Sequence, residues 1–192
     1  MPHPTQMSAG DTGLLVIDVQ EKLIPLIPGS VGLIRNIAFL IDAARVLQVP
    51  VQATEQYPKG LGATVAELAQ RLPERPDKVA FSCCAIPSVV DNFRRGARPK
   101  LLLAGIETHV CVQQTALDLL ALGFRVYIAA DGVASRFAVD HEQSVRRLEN
   151  AGAIITTCES AVFEWIGAAG TLEFKEVSRL VQERMKKMEI EK

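Results

Sequence analysis

The chain has 192 residues, 48% of them apolar and 22% charged, with a formal net charge of -1. Such a composition supports one globular domain, residues 1–192, with a sizeable core, and its balanced charge excludes a global field that would draw it to nucleic acid or an anionic membrane. No apolar run reaches the roughly 18 residues that a membrane span needs.

The first ten residues read as a flexible tail. The opening MPHPTQMSAGDTG has no apolar signal core, so no secretory leader is expected. TGLLVIDVQ (12–20) is a short apolar run ending in an acid, which suits a strand buried on both faces. After a turn at PLIPGS, VGLIRNIAFLIDAARVLQ places apolar residues at helical spacing, and VPVQATEQ (49–56) is a second strand. The loop YPKGLGAT leads into TVAELAQRL, a short helix in which Thr64 and Glu67 have capping-box spacing. KVAFSCC (78–84) reads as strand three, SVVDNFRRGA as a helix stopped by Gly96, and PKLLLAGI as strand four. A helix carrying Cys111 then runs to about Gly123. FRVYIAAD is strand five, HEQSVRRLENAG a helix and AIITT strand six; ESAVFEWIGA and EFKEVSRLVQERMKKMEIEK close the chain as helices. The alternation predicts a three-layer α/β/α, Rossmann-like open sheet of about six mainly parallel strands. In the order 3-2-1-4-5-6, strands one and four meet at the switch point, where such folds bind ligands beyond the carboxyl ends of their strands.

That topology places Asp18, at the end of strand one, near Cys111, at the start of the helix after strand four. A thiol at a helix start lies beside unpaired N–H groups and the positive end of the dipole, both of which favour thiolate. Asp18 as base, Cys111 as nucleophile and Lys78 as a nearby cation would make an acyl-transfer site, with backbone N–H groups before the helix receiving the oxyanion. Each residue also has a plain role: free cysteine is commonly core, Asp18 suits a cap, and Lys78 suits a solvated surface. Cys158 also opens a helix, but after an edge strand, and Cys83 and Cys84 read as packing with diverging side chains. Of three histidines, only His109 lies beside the expected cleft. No His pair or CxxC has ligand spacing, so no metal is expected; no dinucleotide fingerprint or P-loop is present, and no cofactor is expected. Reduced thiols point to a cytoplasmic location.

LLVIDVQ, KVAFSCC and the long AGIETHVCVQQTALDLLALGFRVYIAADGVASR together resemble the isochorismatase-like cysteine hydrolases, over about residues 12 to 182. TEQYPKGLGATVAEL and EFKEVSRLV are similar to the isochorismatase domain-containing subgroup. The resemblance implies an Asp18–Lys78–Cys111 triad and a cis peptide between Ile106 and Glu107, with the N–H groups of Glu107 and Cys111 facing one oxyanion. It also implies self-association as a dimer or tetramer. The nicotinamidase branch carries metal-binding Asp and His residues after strand two; TEQYPKGLGAT has no His, so neither metal nor nicotinamide specificity is transferred. Vinyl-ether cleavage, the reaction of the isochorismate branch, needs no thiol, and Cys111 is present. The expected activity is therefore hydrolysis of a small amide-like substrate through a thioester. An isochorismatase-type ether hydrolase and a non-catalytic oligomeric binding protein are the alternatives. Gln20, Thr54, Gln56, Tyr57, Phe81, Ile106 and His109 are the candidates for lining the substrate site, although Gln and Tyr equally serve as satisfied structural groups.

Overall fold

Six parallel strands form one sheet in the order β3-β2-β1-β4-β5-β6, in a computed structural model that describes residues 3–72 and 74–190, with side chains to residue 188. The strands are β1 (Thr12–Ile17), β2 (Val51–Gln56), β3 (Asp77–Lys78), β4 (Lys100–Ile106), β5 (Arg125–Ala134) and β6 (Ile154–Thr156). The order agrees with the one that the alternation of apolar runs and helical spacing predicts. Every residue of β1 and β4 is buried, because helices cover both faces of a parallel sheet. Alternate side chains serve opposite layers. Leu14, Val16, Leu102 and Ala104 pack under α1 (Ser30–Val46), α7 (Cys158–Ile166) and α8 (Leu172–Ile190). Leu15, Ile17, Leu101 and Leu103 pack under α4 (Pro87–Arg95), α5 (Gln113–Ala121) and α6 (Ala138–Asn150).

Strand three is much shorter than the 78–84 expected. Beyond Lys78 the chain turns outward, leaving Val79 78% exposed, and Ser82 caps a 3-10 turn, Cys83–Ala85, by accepting from the Cys84 N–H. An apolar run with nothing to bury against cannot hold a strand. Strand five is longer than expected. After an irregularity at Leu103/Gly105 it pairs again with β4, Gly105 with Val133 and Ile106 with Ala134. The helix expected at 64–72 shrinks to α3 (Ala66–Ala69), and the segment expected as a loop before it holds one further short helix, α2 (Pro58–Leu61). Its capping box does not form: Thr64 spends both its N–H and its hydroxyl on the Glu55 carboxylate, each at 2.8 Å, and Val65 stands at the helix start.

The segment expected as a tail is strapped to the body from Thr5 onward. Tyr127 donates to the Thr5 carbonyl at 2.6 Å, Glu164 accepts from the Met7 N–H at 2.7 Å, and Met7 is buried. Among the described residues no helix is long and apolar enough to cross a membrane.

Candidate active site

The site forms where β1 and β4 end side by side. Gly105 makes this approach possible: a Cβ there would lie 2.1 Å from the Ile17 carbonyl oxygen, and its φ of +122° is one that side-chain-bearing residues rarely adopt. One residue beyond β1, Asp18 takes a left-handed backbone (φ 51°), a conformation uncommon outside glycine that clusters at functional positions. Its carboxylate is wholly buried.

Three groups converge on that carboxylate. Oδ2 lies 2.7 Å from the Lys78 ammonium, Oδ1 accepts from the Thr54 hydroxyl at 2.8 Å, and the carboxylate is near enough to Cys111 to raise its thiol. The other protons of Lys78 go to Gln56 Oε1 at 2.7 Å and to the Phe81 carbonyl at 2.9 Å, so all three donors of the ammonium are spent. Cys111 lies in a π-turn, Thr108–Val112, that leads directly into α5. The turn is held from α6, where Ser144 donates to the Thr108 carbonyl and His141 Nδ1 lies 3.0 Å from the Thr108 hydroxyl. The Ile106–Glu107 peptide before it is cis.

The folded surroundings of Cys111 favour thiol over thiolate, against the pull expected of a helix start. Burial pushes the Cys111 thiol well above its ordinary value, the Asp18 carboxylate pushes it further, and Lys78 offsets only part of this. Loss of water around sulfur outweighs the pull of the turn's N–H groups.

The structure divides the expected lining residues into three groups. Tyr57 and Phe81 are about half exposed beside the Lys78 strand end, where their rings are available to a ligand. Thr54 and Gln56 are buried and committed: Thr54 orients Asp18, and Gln56 holds Lys78 while donating to the Val79 carbonyl at 2.7 Å. Gln20 and Ile106 do not reach the cleft. Gln20 is a fully buried clasp whose amide bonds Gln56 N and O and the Gly62 carbonyl, while Ile106 is fully buried in the apolar layer beneath α1. A strand-end position shows that a residue is near the site, but not which way its side chain turns. His109 is partly exposed, with Nδ1 3.0 Å from Ser135 Oγ and Nε2 3.8 Å from Asp140. The Glu107 side chain turns away to a bidentate pair with Arg136, 3.1 and 3.0 Å.

Cys83, read as packing, is fully buried in the apolar layer beneath α4, α5 and α6. Its Sγ also lies 3.3 Å from Thr54 Oγ1, and burial pushes it up to about 11, with Asp18 adding to the rise. Cys84 is half-buried at the margin of the same layer.

Comparison with known proteins finds relatives that match most of the chain. The family model for the isochorismatase domain matches residues 12–160. A secreted isochorismatase effector, Isc1, of Phytophthora sojae is 38% identical over 179 residues, covering 90% of this chain and 85% of its own. Isochorismatase domain-containing protein 2 of Bos taurus is 38% identical over 177 residues, covering 91% and 84%. The structure of MAR1 ribonuclease from Caenorhabditis elegans superposes with a TM-score of 0.87 at 40% identity, covering 93% of each chain. On its matched residues, its relatives and its sheet order, the chain belongs to the isochorismatase-like hydrolase family.

Proposed function

We propose that the protein hydrolyses a C–N bond in a small carboxamide or carbamoyl compound through a thioester on Cys111. The observation that carries this reading is the buried ion pair of Asp18 and Lys78, 2.7 Å apart, whose charges both act on the Cys111 thiol. A thiol beside its base needs no resting thiolate. Asp18 takes the proton as sulfur attacks the carbonyl carbon, and the N–H groups of Glu107 and Cys111 receive the oxyanion. Asp18 then returns the proton to the leaving nitrogen. In the second half it deprotonates a water that attacks the thioester, and Cys111 leaves as thiol. Lys78 holds the carboxylate in place throughout. Tyr57, Phe81 and His109 form the substrate contacts.

Four free thiols fit a reducing compartment. Exposed Tyr57, Val79, Phe81 and Phe137 in the strand-end loops, with Val139 at the start of α6, support self-association.

The test is trapping. Incubation with a panel of carboxamides and a small-molecule extract should leave an acyl adduct on Cys111, read by intact mass and peptide mapping. In a Cys84→Ser background, iodoacetamide should label Cys111 before Cys83 or Cys158. Cys111→Ala should keep the fold and lose turnover by at least ~10³-fold. Because the worm relative is named a ribonuclease, an RNA arm belongs in the panel. Cleavage of RNA that survives Cys111→Ala, or an inert Cys111 beside a labelled Cys158, would overturn the thioester reading.

A further inference from the structure

We propose that Cys83 is a resolving thiol for Cys111, so that a peroxide converts the site to a reversible Cys83–Cys111 disulfide rather than destroying it. The proposal rests on Cys111 as the reactive thiol of the hydrolase reading, and gives a task to a second thiol which that reading leaves idle.

Two contacts place Cys83. Its N–H donates to Thr115 Oγ1 at 2.9 Å, and Thr115 stands four residues after Cys111, one helical turn along the same face. The 3-10 turn that carries Cys83 is thereby pinned to the helix that follows Cys111. Its sulfur, in turn, lies 3.3 Å from Thr54 Oγ1. Thr54 has one hydroxyl proton and gives it to Asp18 Oδ1, so between Cys83 and Thr54 the S–H is the donor. Cys83 reaches the Asp18 carboxylate through Thr54, and the same carboxylate acts on Cys111. Both thiols also sit in one apolar layer. Packing alone needs none of this; an apolar side chain of similar size fills the same space. The other two cysteines lack the arrangement: Cys84 is half-buried at the margin of the same layer, with no side-chain link to Asp18 or Thr54, and Cys158 lies in the opposite layer beside Asp131.

Exposure sets the order of events. Cys111 keeps 6% of its surface exposed and Cys83 none, so a small peroxide meets Cys111 first. Asp18 takes the Cys111 proton, sulfur attacks the peroxide, the O–O bond breaks, and the departing hydroxide leaves as water with the proton from Asp18. Cys111 is now a sulfenic acid. Cys83 then passes its proton toward Asp18 through Thr54 and attacks the Cys111 sulfur. The S–O bond breaks, and a second water leaves with that proton. One hydrogen peroxide and two thiols thus give one disulfide and two waters.

The test uses the full chain and hydrogen peroxide in slight excess. The treated protein should become about 2 Da lighter, and a tryptic digest should join peptide 79–94 to peptide 101–125. Cys84→Ser should behave identically, which assigns the bond to Cys83. In Cys83→Ser, Cys111 should instead gain about 32 or 48 Da as sulfinic or sulfonic acid. After dithiothreitol, iodoacetamide labelling of Cys111 should return fully in the wild type but to less than about a fifth in Cys83→Ser, since those higher oxides are not reduced by thiols. Cys83→Ala, checked for folding by circular dichroism, should repeat the serine result. Irreversible oxidation of wild-type Cys111, a cross-link lost in Cys84→Ser, or full recovery in both Cys83 variants would overturn the proposal. Every readout is a mass or an alkylation. A missing cross-link beside an intact acyl adduct defeats the resolving thiol alone, and a cross-link without any acyl adduct defeats the hydrolase reading alone.

Discussion

At Asp18, two requirements meet in one residue, a buried charge that must be paired and a backbone that must turn out of a strand, and the proposed hydrolysis adds a third, a base that must reach a thiol. The pairing makes a stability prediction that is separate from catalysis. Asp18→Asn keeps the shape but leaves the Lys78 ammonium buried without its anion, so it should lower unfolding free energy by about 3 kcal/mol in urea titrations while abolishing thioester formation. Thr54→Val removes one hydrogen bond to the same carboxylate and should cost only about 1 kcal/mol. If the two variants prove equally stable, the ion pair is not what holds Lys78 in the core. Asp18, Lys78 and Cys111 were legible as candidates because each stands where an apolar run stops or a helix begins. The protonated state of Cys111 was not, since it depends on how much water the folded surroundings leave around sulfur. The same limit applies to the contact of Cys83 with Thr54: a thiol in FSCC reads identically whether it faces hydrocarbon alone or Thr54 as well.

Among the elements, the sheet centre was readable and the connections were not. LLLAGI and GLLVI bury every side chain, and such runs allow little but a central parallel strand. KVAFSCC carries the same composition, yet it turns outward after Lys78. The Thr64 spacing offered a cap that a buried carboxylate, Glu55, claimed first. The last helix, α8, had a charged end that gave no docking signal; its anchor is Arg184, which donates to Asn36 Oδ1 at 3.0 Å, Glu159 Oε2 at 3.0 Å and Asp131 Oδ2 at 3.2 Å. The guanidinium also stacks 5.0 Å from the centre of the Phe39 ring. Arg184→Ala should therefore free the C-terminal half of α8. Amide exchange across residues 181–188 should accelerate by about tenfold or more, corresponding to roughly 1.4 kcal/mol or above, while Cys111 alkylation stays unchanged. Unaltered exchange would mean that apolar contacts such as Val177 hold the helix alone.

For the whole molecule, three buried thiols set an alkaline limit. Cys83, Cys111 and Cys158 are all raised above the ordinary thiol value of 9.0, chiefly by burial. Above that value the unfolded chain releases protons that the native state keeps, so stability falls as pH rises. For Cys83 the loss runs from about 9 to about 11. With each thiol contributing up to about 1.4 kcal/mol per pH unit, the combined slope near pH 10 should approach ~4 kcal/mol per unit. Urea midpoints between pH 8 and pH 10 measure it, and Cys158→Ala should remove about a third of the slope. A flat profile would show that the thiols are hydrated. By itself the sequence determined the alternation of strands and helices and the central strands β1 and β4, because hydrophobic periodicity is a local property that adds up along the chain. Only the tertiary structure decided which strand-end side chains face the cleft, which are spent on one another, and on which atom the catalytic proton rests. Those outcomes depend on desolvation and on competition among hydrogen-bonding groups up to 93 positions apart, and no window of sequence contains them.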